Sequence, residues 1–414
     1  MKKCFIWVAA LLMVCSCAQK QAVTVTVANS TDLNRTDEMV ELSMDDLTMK
    51  LQLPDTAEVV VLNPEGQQVP SQITSDGKLI FPATVGANAS VDYTIQAGTP
   101  ISVETSVYGR QYPERVDDIA WENDKVAFRT YGPALQATGE RAFGYDVWAK
   151  NVPEMVVEAR YAGELNPETM AKIAELKKTD PKAADELYKS VSYHVDHGNG
   201  LDCYKVGPTL GGGTAALLDS NGAIIYPYCY KDFEILDNGP LRFKVKMVYN
   251  PLVVNGDSNV VETRILSLDK GSHLNKMVIS YQNLNNVTPV AAGLVIHPEN
   301  PEAYKTDAER GYIAYQDLTD NVNNNNGEIY VGAVFPAPVK EAKAALFSEK
   351  ESKEERGGAL GHVLGISDYN PGSEYVYYWG SGWSKAGMDS MDKWTTYLDE
   401  YAQKVRNPLT VTMK

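Results

Sequence analysis

The densest set of proton-moving side chains lies in the run Tyr193-His194-Val195-Asp196-His197-Gly198-Asn199-Gly200-Leu201-Asp202-Cys203-Tyr204-Lys205, which holds two of the chain's five histidines. Read as a strand with a period of two, His194 and Asp196 leave one face while Tyr193 and Val195 leave the other. The step His197-Gly198-Asn199-Gly200 is rich in residues that accept positive φ, so His197 is expected where the chain bends. Acid–base groups at a strand end are well placed for chemistry, because catalytic side chains concentrate on loops held by a rigid scaffold. The bland alternative is a satisfied His–Asp pair at a sheet edge. Zinc is not expected, since His-x-x-His on a strand sends its rings to opposite faces and no H-E-x-x-H helix accompanies it. Gly211-Gly212-Gly213 has no following Lys-Ser/Thr and reads as a turn, so neither a phosphate loop nor a cofactor is expected.

Two other stretches carry candidate groups. Trp121-Glu122-Asn123-Asp124-Lys125-Val126 reads as a tight hairpin with Asn-Asp at its turn. On the return strand Val126, Phe128 and Thr130 share one face and Ala127, Arg129 and Tyr131 the other. Arg129 and Tyr131 thus stand together, either toward a ligand or on a solvated outer face. Near the end, Tyr375 to Trp383 has the character of a sugar-stacking strand and turn, with Trp379 and Trp383 as platforms, although buried aromatics are the commoner explanation.

The elements that must position these groups are mostly strands. Val23 to Asn29, Glu58 to Leu62, Lys78 to Phe81 and Val91 to Ile95 alternate or are β-branched, with Gly, Pro, Asn or Ser nearby. Residues 18–100 are therefore expected to form a small β-sandwich, ending at the soft boundary Ala97-Gly98-Thr99-Pro100. Strands return at Ala223, Leu241, Val260 and Met277 as a long antiparallel meander within residues 101–414. Two helical pieces interrupt it at 166–189, started by Asn166-Pro167 and Asp180-Pro181. A last helix carries Met391, Trp394, Leu398, Tyr401 and Val405 as its apolar stripe, with Asp389 as expected cap. Asn323 to Asn326 and Glu349 to Arg356 read as exposed loops.

Lys2 and Lys3, an apolar run from Cys4 to Val14, and Val14-Cys15-Ser16-Cys17 read as a signal peptide ending in a lipoprotein box over residues 1–17. Cys17 is then the lipidated first residue of the mature chain, and the fold touches a membrane only through that lipid. Ala18-Gln19-Lys20-Gln21 carries no acid, which favours the periplasmic face of a Gram-negative outer membrane over the cell surface. Of the five cysteines only Cys203 and Cys229 remain in the folded part, and their pairing stays open. The formal charge of −16 makes nucleic acid a poor partner and also repels acidic sugars, unless arginines gather locally. A monomer is expected.

Glu114-Arg115-Val116-Asp117-Asp118-Ile119-Ala120-Trp121-Glu122-Asn123-Asp124 and Val126 to Pro133 resemble signature stretches of the bacterial lipoprotein family catalogued as domain of unknown function 4861. So do His194 to Tyr204, Gly239-Pro240-Leu241-Arg242 and Leu268-Asp269-Lys270-Gly271-Ser272. The resemblance implies an all-β chain whose second part is a large sandwich similar to the galactose mutarotase and polysaccharide lyase superfamilies. It also implies a setting in polysaccharide degradation and, for some members, an oligosaccharide dehydratase role.

Elimination from a uronate needs a cation on the carboxylate, a base for the carbon-bound proton and an acid for the leaving oxygen. Arg129 or Arg115 can be the clamp, His194 or His197 the base, and Tyr204 or Tyr131 the acid, with Asp196 beside the substrate. Three other readings compete. Aldose epimerisation would pair His297 with Glu299, or His194 with Glu122. Glycoside hydrolysis would draw two carboxylates from Asp117, Asp118 and Glu122. A non-catalytic protein would bind oligosaccharide on Trp379 and Trp383.

Overall fold

The computed structural model describes residues 22–54 and 57–414, so the leader and Cys17 lie outside the described residues. Strands take 42% of the chain and helices 20%, and the fold is all-β, built of antiparallel sandwiches. Valines at 23, 25 and 27 alternate inward on the strand Ala22–Ala28, which runs beside Ser90–Ala97 in a five-stranded sheet. A three-stranded sheet led by Arg35–Ser43 and Lys78–Val85 closes over it, with Phe81, Tyr93 and Ile95 in the shared core. The chain's last strand, Thr410–Met413, returns to this unit and pairs with Ala22–Ala28. The first and last of the described strands are therefore neighbours in the first sandwich.

The larger sandwich has a nine-stranded sheet on one side. Three strands of the expected meander, Arg242–Tyr249, Asp257–Asp269 and Leu274–Gln282, are consecutive neighbours there, preceded by Tyr230–Asn238, whereas the strand expected at Ala223, Ile224–Ile225, pairs in the five-stranded sheet instead. Facing it are a five-stranded sheet around Thr288–Ile296 and a four-stranded sheet in the order Asp146–Trp148, Ala127–Thr130, Asp118–Asn123, Val107–Tyr112. All three sheets drain into one core, in which Trp121, Phe128, Tyr145, Phe243 and Trp379 are buried together. Arg242 ties the two sandwiches, reaching Glu41 at 2.6 Å and Asp269 at 2.5 Å.

The helical pair is where the sequence places it, at Pro167–Thr179 and Pro181–Val191, capped by the side chains of Asn166 and Asp180. A further helix, Val157–Glu164, precedes it and covers the outer face of the four-stranded sheet with Val157 and Tyr161. The helix Met391–Arg406 packs Trp394 and Leu398 onto the nine-stranded sheet. Its cap is Ser390 rather than Asp389, because Ser390 has the extended backbone from which a side chain reaches the Lys393 N–H. The charged run expected as a loop is a helix, Glu349–Glu355, in which acids in the first turn favour the N-terminus and Glu349 pairs with Lys353 one turn on.

Candidate functional site

Strand alternation builds the site on the outer face of the four-stranded sheet. The hairpin pairs Glu122 with Ala127 and Ala120 with Arg129, as its pattern predicts, and Arg129 faces Asp146 across the next ladder. Asp118, Arg129, Tyr131, Asp146 and Trp148 accordingly project to one side, away from the core residues Trp121, Phe128 and Val147. The helix Val157–Glu164 and the loop through Tyr193 and Asp202 lie over this face and bury most of it.

Three carboxylates meet one guanidinium. Arg129 binds Asp146 through Nε at 2.9 Å and more closely through Nη2, and the same Nη2 donates to Asp202 at 2.7 Å. Asp118 lies 3.8 Å from Nη1. Burial pushes the Asp118 carboxyl up to about 6, against the pull of Arg129 and Arg115. Burial, helped by repulsion from Asp146, pushes Asp202 up to about 7. The half-buried Tyr131 donates its hydroxyl to Asp146 at 3.2 Å. Burial and the Asp146 charge hold that phenol well above its usual range, so it stays protonated.

Arg115 stands at the rim. Its Nε donates to the Tyr193 hydroxyl at 3.2 Å and its Nη1 lies 3.8 Å from Asp118, which leaves most of the guanidinium's donors uncommitted. Burial works against its charge, but Asp118 and Tyr193 outweigh it and hold the group above its ordinary value. The turn that carries it is strained: Val116 and Asp117 have φ of 47° and 67°, unusual for residues other than glycine and most of all for a β-branched one. The turn is pinned by the Tyr230 hydroxyl, which donates to the Asp117 carbonyl at 2.5 Å, and by Gly132, where an added Cβ would meet that carbonyl at 2.0 Å. Backbone strain of this kind gathers at functional sites.

The stretch expected as a strand is instead an irregular loop from Ser192 to Gly200. Its end is clamped to the sheet because Leu201 exchanges backbone hydrogen bonds with Ala149, and Gly200 (φ +95°) passes the Ala149 carbonyl too closely for a Cβ. His194 is exposed, its Nδ1 2.9 Å from the Asp202 carbonyl and 3.7 Å from that residue's carboxylate. A carbonyl only accepts, so Nδ1 carries a proton, and Nε2 makes no hydrogen bond to the protein among the described residues. The Tyr193 and His194 rings lie 4.6 Å apart, which brings His194 beside Arg115's partner.

Arg115, Arg129, Tyr131 and His194 thus form one cluster, while other expected residues lie outside it or are committed elsewhere. His197 turns its Nε2 to the Ser192 carbonyl at 3.0 Å, and Asp196 accepts from Gly198 and Gly200, closing the loop rather than facing a ligand. Tyr204 is buried, with its hydroxyl unpartnered. Trp379 and Trp383 are not platforms: 0% and 3% exposed, they are sandwich core, and Trp379 stacks on Tyr145 at 4.4 Å. Arg129 is buried and already bonded to Asp146 and Asp202 through Nε and Nη2, so the more exposed Arg115 is the accessible clamp. Cys203 and Cys229 are free thiols.

The competing pairs also dissolve. Glu122 is buried on Lys150 and on the backbone of Val156 and Val157, far from a role beside His194. His297 pairs with Asp317, not with the exposed Glu299. Asp117 accepts from the Ala134 backbone. Asp146 escaped sequence reasoning, although Tyr145-Asp146-Val147-Trp148 alternates and places it on the face of Trp148. Among the described residues no group of three His, Cys, Asp or Glu is arranged to hold a metal ion.

Fold and site together define an antiparallel β-sandwich protein with a buried Arg–Asp cluster opening to an arginine, a tyrosine and a histidine at one rim. The chain belongs to the family described as Domain of unknown function (DUF4861), whose model matches residues 27–411. It is 26% identical over 429 residues to "Uncharacterized protein P7" of Formosa agariphila, covering 99% of this chain and 98% of the relative. Among solved structures it is similar in fold to an alpha-mannosidase from Enterococcus faecalis V583, with a TM-score of 0.50 and 9% identity over 95% of this chain. A second Enterococcus faecalis structure, a protein in glycosyl hydrolase family 38, gives the same TM-score at 8% identity. The chain spans about half the length of these two, 46% and 47%.

Proposed function

We propose that this protein acts on uronate-containing oligosaccharides by β-elimination, releasing water or a sugar. The observation that carries the reading is the rim itself: an arginine with uncommitted donors, next to an exposed histidine whose Nδ1 is engaged by a carbonyl and whose Nε2 is left for a substrate. Arg115 grips the carboxylate, which stabilises the charge that develops as the adjacent carbon loses its proton. His194 Nε2 takes that proton, and the imidazolium so formed is stabilised by the Asp202 carboxylate 3.7 Å from Nδ1. The electron pair left on that carbon becomes the new carbon–carbon double bond as the carbon–oxygen bond at the neighbouring position breaks, its own pair leaving with the oxygen. Tyr131, held protonated, gives its proton to the departing oxygen.

The fold likeness to a mannosidase and to a glycosyl hydrolase family 38 protein supports a carbohydrate role. Hydrolysis is the weaker reading here, because Asp118, Asp146 and Glu122 are at most 1% exposed and occupied by cations or backbone. The leader suits a protein held by a lipid on Cys17 and facing the periplasm; loss of fatty-acid labelling in Cys17→Ser tests that part. The activity is tested by incubating the mature chain with uronate oligosaccharides. A new ultraviolet-absorbing double bond, with loss of water or of a sugar by mass, is the expected result. Saturable binding without any product would refute the elimination chemistry.

A further inference from the structure

A second histidine stands at the same end of the large sandwich and takes no part in the chemistry above. His297 follows directly on the strand Thr288–Ile296 and is 6% exposed. Its Nδ1 lies 2.5 Å from the Asp317 carboxylate, at the end of the strand Tyr312–Asp317. Asp317 is itself fixed, accepting from the Thr319 N–H at 2.7 Å. The acceptor on Nδ1 orients the ring, while Nε2 meets no protein group among the described residues and is not sealed in the interior.

Two more groups converge there without partners. Tyr204 sets its ring edge-on to His297 at 6.1 Å, and its hydroxyl, on a residue 5% exposed, has no hydrogen-bond partner. A buried hydroxyl left unmade costs about 1–3 kcal/mol, so a ligand group that supplies the bond is favoured. Thr319 has φ of 71° and a buried unpartnered hydroxyl of its own, a strained turn in a β-branched residue. This centre adjoins the first one. Tyr204 lies two residues beyond Asp202, and the Asp320 N–H donates to the Cys203 carbonyl at 2.8 Å.

The two ends of this row differ in charge. Arg115 offers uncommitted cationic donors at one end. Asp317 and Asp320 make the other end acidic, with His297 and Tyr204 offering hydrogen-bonding groups.

We propose that His297, positioned by Asp317, forms with Tyr204 a second subsite that takes an uncharged sugar unit next to the uronate, reading its hydroxyls. This rests on the oligosaccharide reading above and names the substrate class more closely: a uronate joined to a neutral sugar, not to a sulfated or second acidic one. An anionic substituent would face the carboxyl groups of Asp317 and Asp320.

The test is calorimetric binding to the mature chain of three probes: a uronate monosaccharide, a disaccharide of that uronate with a neutral hexose or deoxyhexose, and the same disaccharide with a sulfate ester on the second unit. The neutral disaccharide is expected to bind at least about tenfold more tightly than the monosaccharide, and the sulfated one to lose that gain. His297→Gln should cancel the gain while leaving monosaccharide affinity unchanged. Tyr204→Phe keeps the ring packing and removes only the hydroxyl, and should lower disaccharide affinity severalfold if the glutamine variant fails to fold. Equal binding of monosaccharide and neutral disaccharide, undiminished binding of the sulfated form, or an equal loss for all probes in a folded variant would each overturn the proposal. Disaccharide binding that follows these expectations without unsaturated product would refute elimination and leave the subsite standing.

Discussion

Replacing Arg129 by Met should expose how much of the site's stability rests on one guanidinium. The side chain is of similar length and apolar, so packing against Trp148 and Tyr193 largely survives while the charge is lost. Left behind are Asp118, Asp146 and Asp202, each at most 2% exposed. Removing one partner of a buried ion pair costs about 3–5 kcal/mol, because the remaining charge has neither water nor counter-ion. At roughly 2 °C per kcal/mol for a unit of this size, the melting temperature should fall by about 6–10 °C near pH 8.

The pH dependence gives the sharper check on Arg129. Asp118 and Asp202 are raised to about 6 and about 7 even with Arg129 present. Without it both rise further. A carboxyl raised in the folded state holds its proton there at pH values where the unfolded chain has lost it. Its cost therefore begins above the unfolded value near 4, grows as pH rises, and is complete above the folded pKa. The deficit of Arg129→Met should accordingly shrink when melting is followed at about pH 5 instead of about pH 8, and Arg129→Lys should lose less at both. A variant that melts within a degree or two of the parent near pH 8, or whose deficit is the same at both pH values, would refute the picture of one cation holding buried carboxylates.

Asp202→Asn removes the most strongly raised of these carboxyls. The parent should lose on the order of 2–4 kcal/mol from this group between about pH 4 and pH 8, and the asparagine variant should show a visibly flatter urea-unfolding profile over that window. His194→Gln should lower turnover by about a hundredfold or more with oligosaccharide affinity nearly unchanged, whereas Arg115→Ala should weaken both, as steady-state kinetics beside calorimetry would separate. Trp379→Ala should cost about 3–5 kcal/mol and leave sugar affinity in the surviving folded fraction alone; a selective loss of binding would restore the platform reading. Alkylation of the unfolded chain without reductant should label both Cys203 and Cys229, and protection of the pair would contradict their separation in the fold.

The sequence by itself determined the elements whose information is local. Val23-Thr24-Val25-Thr26-Val27 alternates because every second side chain must enter the core, and Asn166-Pro167 and Asp180-Pro181 start helices because cap and fixed φ act within one turn. The same alternation suffices to put Arg129 and Tyr131 on one face, since their spacing of two residues fixes it. The tertiary structure decided what met that face. Asp146, Asp202 and the helix Val157–Glu164 come from separate segments, and only their convergence turns Arg129 from an available clamp into a neutraliser of buried acids. His194 was legible as chemistry but misplaced on a strand, since Gly198 and Gly200, both at positive φ, let the loop fold back on Ala149 instead of extending. Trp379 and Trp383 show the limit from the other side. Their pattern suits a platform or a core equally, and which it is depends on whether another sheet covers that face, a fact fixed by strand order and not by spacing along the chain.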